Sequence, residues 1–290
     1  MKATVKATAK SAMKAAISFA MKFPCRIRAR AVAGALVPAA LAATLALAPA
    51  AHAGQSCEAR APTVHELKNG LELARRTAAA LDASGAELVV LARAGQDLSR
   101  YGLRYSHLGF AYRTQSGWRV LHKLNHCGTA EGHLYRQGLA EFFMDDLHDA
   151  VAAYAVASPA VAAALVPVLT DNTRADVMHE RRYNMVAYPW STRYQQSNQW
   201  ALETLAFALA PGAQTRERAQ AWLQWQGYEP TQLNVPTFTR LGARVGSAHI
   251  AFDDHPDRQR YAGRIATVTV DSVFAWLRQS GHASAVRTVR

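Results

Sequence analysis

The sequence predicts an α+β protein: one domain in which an antiparallel sheet packs against helices, preceded by a removable leader. Three observations carry this expectation. Half of the 290 residues are apolar and 19% are charged, which is enough to build a core. An amphipathic helix is followed by a strand and then by two strands joined through a short polar connection. No internal repeat or low-complexity linker divides the chain.

Residues 1–53 read as an address rather than as structure. They hold five lysines, three arginines and no acid, then an uncharged run from Ala31 to Ala50 that leads into Ala51-His52-Ala53. Basic region, apolar region and small-x-small box in that order describe a secretory signal peptide cleaved after Ala53. Pro38, Pro49 and the many alanines make the same stretch a poor permanent anchor. A periplasmic protein of residues 54–290 is the expectation, with no membrane span after cleavage. Removing the leader also explains the net charge of +12: the remainder carries 25 basic against 21 acidic residues, an ordinary surface and not a nucleic-acid footprint.

Export leaves an even pair of cysteines, Cys57 and Cys127, in an oxidising compartment. The plain reading is a Cys57–Cys127 disulfide, contributing roughly 3–5 kcal/mol if unstrained. The sharper one, Cys127 as nucleophile beside His126, is weakened because adjacent residues on an extended segment point to opposite faces.

Within the mature chain, Thr63-Val-His-Glu66 is a capping box, and Val64, Leu67, Leu71, Ala74, Ala78 and Leu81 follow at helical spacing up to Gly85. Residues 87–93, 104–113 and 118–124 read as strands, the last two joined by Thr114-Gln-Ser-Gly117. Residues 134–147 and 150–169 read as helices, the second broken near Pro159 and Pro167. A polar stretch over 170–182 precedes an aromatic, ordered loop over 183–198. Helices are expected over 199–210, 215–226 and 272–278, strands over 248–252 and 264–270, and a frayed tail over 281–290.

Four places hold candidate chemistry. If Arg113 pairs with Trp118, His107 and His122 become diagonal neighbours on one face of the hairpin, and Gly109 leaves room beside His107. The bland alternative is a pair of core histidines. Second, Tyr194-Gln-Gln-Ser197-Asn198-Gln199-Trp200 leads into a helix, where backbone N–H groups and the helix dipole favour an oxyanion. Alternatively, Ser197 or Asn198 is simply the N-cap. Third, His249, Asp253, Asp254 and His255 are weak candidate metal ligands, set against ordinary turn chemistry in Asp254-His-Pro-Asp257. Fourth, Tyr183-Asn184 with Pro189-Trp190 reads as loop packing. No cofactor is called for.

The segments Tyr105-Ser-His-Leu-Gly109, Val120-Leu-His-Lys-Leu-Asn-His-Cys127, Tyr183-Asn-Met-Val-Ala-Tyr-Pro189 and Ser191-Thr-Arg-Tyr-Gln-Gln-Ser-Asn-Gln-Trp200 resemble an uncharacterised family of exported bacterial proteins. More distantly, their order is similar to that of permuted papain-like proteins of the NlpC type. There a Ser-His-x-Gly strand supplies the catalytic histidine, and a later segment opening a helix supplies a cysteine nucleophile. Ser106-His107-Leu108-Gly109 matches the first piece; at the second, Ser197 stands in place of cysteine. The resemblance implies a permuted papain-like core. It also implies a hydrolase of amide or acyl-ester bonds in envelope material: Ser197 attacks, His107 shuttles the proton, His122 orients it, and Asn198 or Gln199 donates to the oxyanion. The missing cysteine favours the alternative, a non-catalytic periplasmic binding or assembly protein using the same cleft.

Overall fold

The computed structural model describes residues 61–145 and 147–290. The leader, its cleavage box and Cys57 lie outside the described residues. Helix α1 (Val64–Ala83) starts at the capping box: Thr63 Oγ1 accepts from the Glu66 N–H, and the Glu66 carboxylate accepts from the Thr63 N–H. Its buried side is Gly70, Leu73, Ala74, Thr77 and Leu81, so the stripe facing the sheet is rotated from the one the sequence suggests. Val64 and Leu71 face outward, at 83% and 50% exposure.

Six antiparallel strands form the sheet: β1 (Leu88–Ala94), β2 (His107–Thr114), β3 (Gly117–Asn125), β4 (Gly132–Gly138), β5 (Asp149–Val156) and, at the C-terminus, β8 (Arg287–Val289). Their order is β4-β3-β2-β1-β5-β8. The hairpin register is the expected one, with Arg113 opposite Trp118. Every residue of β1 is buried, because both faces of the sheet are covered. On one face α1 and α2 (Leu139–Met144) pack over Val89, Leu91, Ala111, Val120 and Ala152. On the other, α3 (Pro159–Leu169), α5 (Ser197–Leu209), α6 (Arg216–Trp225) and α9 (Val270–Gln279) pack over Val90, Ala92, Leu108, Phe110, Leu121 and Ala153. The short α4 (Asn172–Asp176) lies in the polar stretch before the aromatic loop.

Beside the main sheet, β6 (Thr231–Asn234) pairs with β7 (Arg264–Thr267). Between them come α7 (Thr237–Gly246) and α8 (Asp257–Tyr261), over a small core of Leu233, Val235, Ile250, Phe252 and Ile265. The α+β architecture is thus as expected.

Several elements differ from expectation. Residues 149–156 form a strand rather than the first half of a helix. Their small alanines let β5 lie between β1 and β8 with helices above and below, and this tertiary pairing overrides helix propensity. The true helix start is Ser158, whose Oγ accepts from the Val161 N–H, with Pro159 in the first turn. Residues 132–138 pair with β3, leaving only 139–144 helical. Residues 248–252 form no strand. The tail does not fray, since Arg287–Val289 joins the edge of the sheet against Tyr154–Ala152.

Candidate functional site

The two histidines of the hairpin meet. His107 Nε2 lies 2.8 Å from His122 Nδ1, and His122 Nε2 lies 2.8 Å from Gln137 Oε1. An amide oxygen only accepts, so His122 donates through Nε2 and receives at Nδ1 the Nε2 proton of His107. Gly109 is what permits the approach: a Cβ there would sit 2.8 Å from the Cβ of His122. The room beside His107 is therefore filled by His122 itself. Both rings are buried against Phe142 of α2, with centroids 5.9 and 5.1 Å away. The guanidinium of Arg93 bonds the Phe142 carbonyl and Asp145. Burial, then Arg93, holds His107 well below the usual imidazole range; the same causes bring His122 down to about 3, against the opposing pull of Gln137 and Asp145.

Ser197 lies elsewhere. Strand alternation turns His107 and His122 toward α1 and α2, whereas Leu108, Leu121 and Lys123 face the opposite side, where α5 packs. Ser197 opens α5 on that side, 5% exposed, with its Oγ 3.5 Å from the Tyr183 hydroxyl. The structure does not bring Ser197 and His107 together. The N-cap is neither Ser197 nor Asn198 but Gln196, whose Oε1 accepts from the Asn198 N–H. Asn198 acts as a wedge. The β2–β3 ladder stops at Phe110↔Leu121, and Asn198 Oδ1 takes the Leu108 N–H at 3.1 Å while its Nδ2 donates to the Ser106 and Val268 carbonyls. Gln199 donates to the Tyr188 and Pro189 carbonyls and to Glu203.

Around Ser197 stands a polar group that no sequence motif announces. The ammonium of Lys123, wholly buried, donates to the Glu180 carbonyl at 2.5 Å and to Gln195 Oε1 at 2.7 Å, and lies 5.9 Å from the Tyr183 ring centroid. Burial, then the charge of Arg216, lowers its pKa to about 7, with Glu203 and Glu180 pulling the other way. Burial raises Tyr183 above the usual phenol range. Glu203, one turn and a half into α5, accepts from Gln195, Gln199, Arg216 and Gln220. Arg216 in turn donates to the Thr192 and Tyr194 carbonyls. The 183–198 loop is ordered, as expected, because these side chains satisfy its backbone.

The acid–histidine cluster is likewise spent on architecture. Asp254 accepts from the Tyr188 N–H at 2.8 Å and lies 2.9 Å from His255 Nδ1, while His255 Nε2 lies 2.9 Å from the Ala266 carbonyl. Asp253 pairs with Arg193 at 2.8 Å. His249 is half-buried and its backbone carbonyl accepts from the Met185 N–H. Among the described residues no group of three His, Cys, Asp or Glu side chains is arranged to hold a metal ion. Cys127 lies in the exposed turn between β3 and β4.

Lys123 escaped sequence reasoning because its partners Glu180 and Gln195 come from far along the chain, and Glu203 and Arg216 because theirs sit on a loop and on two helices whose docking no local pattern announces. The one available signal was the alternation in Trp118–Leu124, which places Lys123 on the face opposite His122.

Fold and site together describe an α+β protein whose polar side chains form two groups, the His107–His122 pair beside Phe142 and the Lys123–Glu203–Arg216 group around the start of α5. The chain belongs to the DUF2145 family, uncharacterized proteins conserved in bacteria, whose family model matches residues 80–277. No curated protein and no solved structure matches it.

Proposed function

We propose that this is an exported, non-catalytic binding or assembly protein that keeps a permuted papain-like scaffold while its Ser/His positions serve the architecture. The observation that carries the reading is the separation of Ser197 from His107 by the sheet. A hydroxyl needs a positioned base within hydrogen-bond reach to act as nucleophile. The imidazole instead donates to His122, and its basicity is suppressed. The signal-like start, a periplasmic location and the Cys57–Cys127 disulfide belong to the same proposal. They are supported by the sequence pattern. No helix among the described residues is long and apolar enough to cross a membrane.

A fluorophosphonate probe tests the reading: the purified protein is expected to remain unlabelled. Labelling that disappears in Ser197→Ala overturns it. One observation favours a second reading. Ser197, Tyr183 and the lowered-pKa amine of Lys123 share the α5 face, so a serine hydrolase of amide or ester bonds would draw its base from there. Labelling abolished by Lys123→Met but kept in His107→Ala would select that reading.

A further inference from the structure

Helix α7 shows its apolar side to solvent. Its inward side is Arg240, whose guanidinium donates to the Val235 carbonyl at 2.6 Å and to Thr237 Oγ1 at 3.2 Å, with Ala243 on the small core. Its outward side carries Phe238, 88% exposed, and Leu241, 56% exposed, one turn apart. Gly242, next to Leu241 and one turn on from Phe238, also faces open space. A surface helix ordinarily buries its apolar stripe, and large exposed apolar groups mark an interaction site.

Charge and size say what covers it. From residue 230 to residue 252 the chain has no acid and two arginines. The exposed Arg264 begins the strand that follows Gly263, whose Cβ position lies 3.2 Å from the Val235 carbonyl and 3.4 Å from the Arg240 guanidinium. The Val235 N–H donates to the Gly263 carbonyl at 2.8 Å, which holds the start of β7 beside the base of α7. The surface is thus apolar and free of acids on the helix; Arg240 is turned inward, and the exposed positive charge near its base is Arg264. A ten-residue helix is about 15 Å long. One face of it supplies only a few hundred Å² at most, far below the roughly 1,200–2,000 Å² that a stable protein interface buries. A second copy of the chain is therefore a poor occupant. A bilayer sets no such threshold, because attachment scales with inserted apolar area plus attraction to anionic headgroups.

We propose that α7 is an interfacial anchor, lying along an anionic phospholipid surface with Phe238 and Leu241 between the headgroups and Arg264 beside their phosphates. The inference is independent of whether Ser197 has any chemistry, and its test is blind to hydrolysis. Hydrogen exchange of the full chain is followed with equimolar phosphatidylglycerol–phosphatidylethanolamine vesicles and with phosphatidylcholine vesicles. Slowed exchange confined to 237–246 on the anionic vesicles is expected. The Phe238→Ser/Leu241→Ser variant, which alters only exposed side chains, is expected to keep its thermal midpoint and to lose at least about tenfold of that protection. Unchanged exchange over 237–246 overturns the proposal, as does undiminished protection in the variant. Equal protection on phosphatidylcholine overturns the recognition of anionic lipid.

Discussion

Lys123 carries an ammonium where water does not reach, and its environment sets the pH response of the protein. Its pKa is about 7 in the folded chain against 10.5 when exposed. Between those values the unfolded chain holds more protons than the folded one, so stability rises as pH increases from about 7 toward 10.5. His107 and His122 act in the same direction at lower pH. Their folded pKa values lie below the ordinary imidazole value of 6.5, that of His122 at about 3, so stability is lost as pH falls from 6.5 toward 3. Urea midpoints measured across this range are expected to climb in both windows. Lys123→Met is expected to flatten the alkaline climb alone, and an unchanged slope in that variant would sink the assignment. The histidine contact was legible in the sequence because turn and strand alternation fix a register. The lysine was not, because alternation names a face without naming what covers it.

At the level of elements, α5 does not merely rest on the sheet; it enters it. Asn198 replaces a strand partner at the point where β2 and β3 part, so one side chain decides how far the hairpin closes. Asn198→Ala leaves the Leu108 N–H and two carbonyl contacts unanswered. A loss of about 1–3 kcal/mol is expected, read as a lower denaturant midpoint; an unaltered midpoint would show that water fills the role. The hairpin, the N-terminal helix with its capping box and the existence of the helices over 199–210 and 215–226 were readable, although the cap of α5 is Gln196 rather than Ser197 or Asn198. The β5 segment Asp149–Val156 was not, since its alanine content suits a helix and only the two neighbouring strands make it extended. The C-terminal strand was hidden for the same reason: three residues have no pattern of their own.

Across the whole molecule, the sheet divides the polar residues into two populations that a linear reading merges. The His107–His122 pair belongs to the layer of α1 and α2, and Ser197 to the layer of α5, so the expected meeting of Ser197 with His107 does not occur. What joins the second layer is Glu203, a carboxylate 1% exposed that receives donors from the loop, from α5 and from α6. Glu203→Gln keeps the volume but strands the Arg216 charge in the interior, and a loss of about 3–5 kcal/mol is expected in equilibrium unfolding. A smaller effect, under about 1 kcal/mol, would mean that the surrounding carbonyls alone satisfy the guanidinium.

The geometry around that carboxylate also has a kinetic meaning. Its donors, residues 195, 199, 216 and 220, are near in sequence but sit on a loop and on two helices, so the junction is expected to act as a latch that closes once those elements have docked. Breaking such a latch leaves the rate of closing nearly untouched and quickens escape from the finished state. In stopped-flow experiments on Glu203→Gln, the unfolding limb is where the damage is expected to be seen.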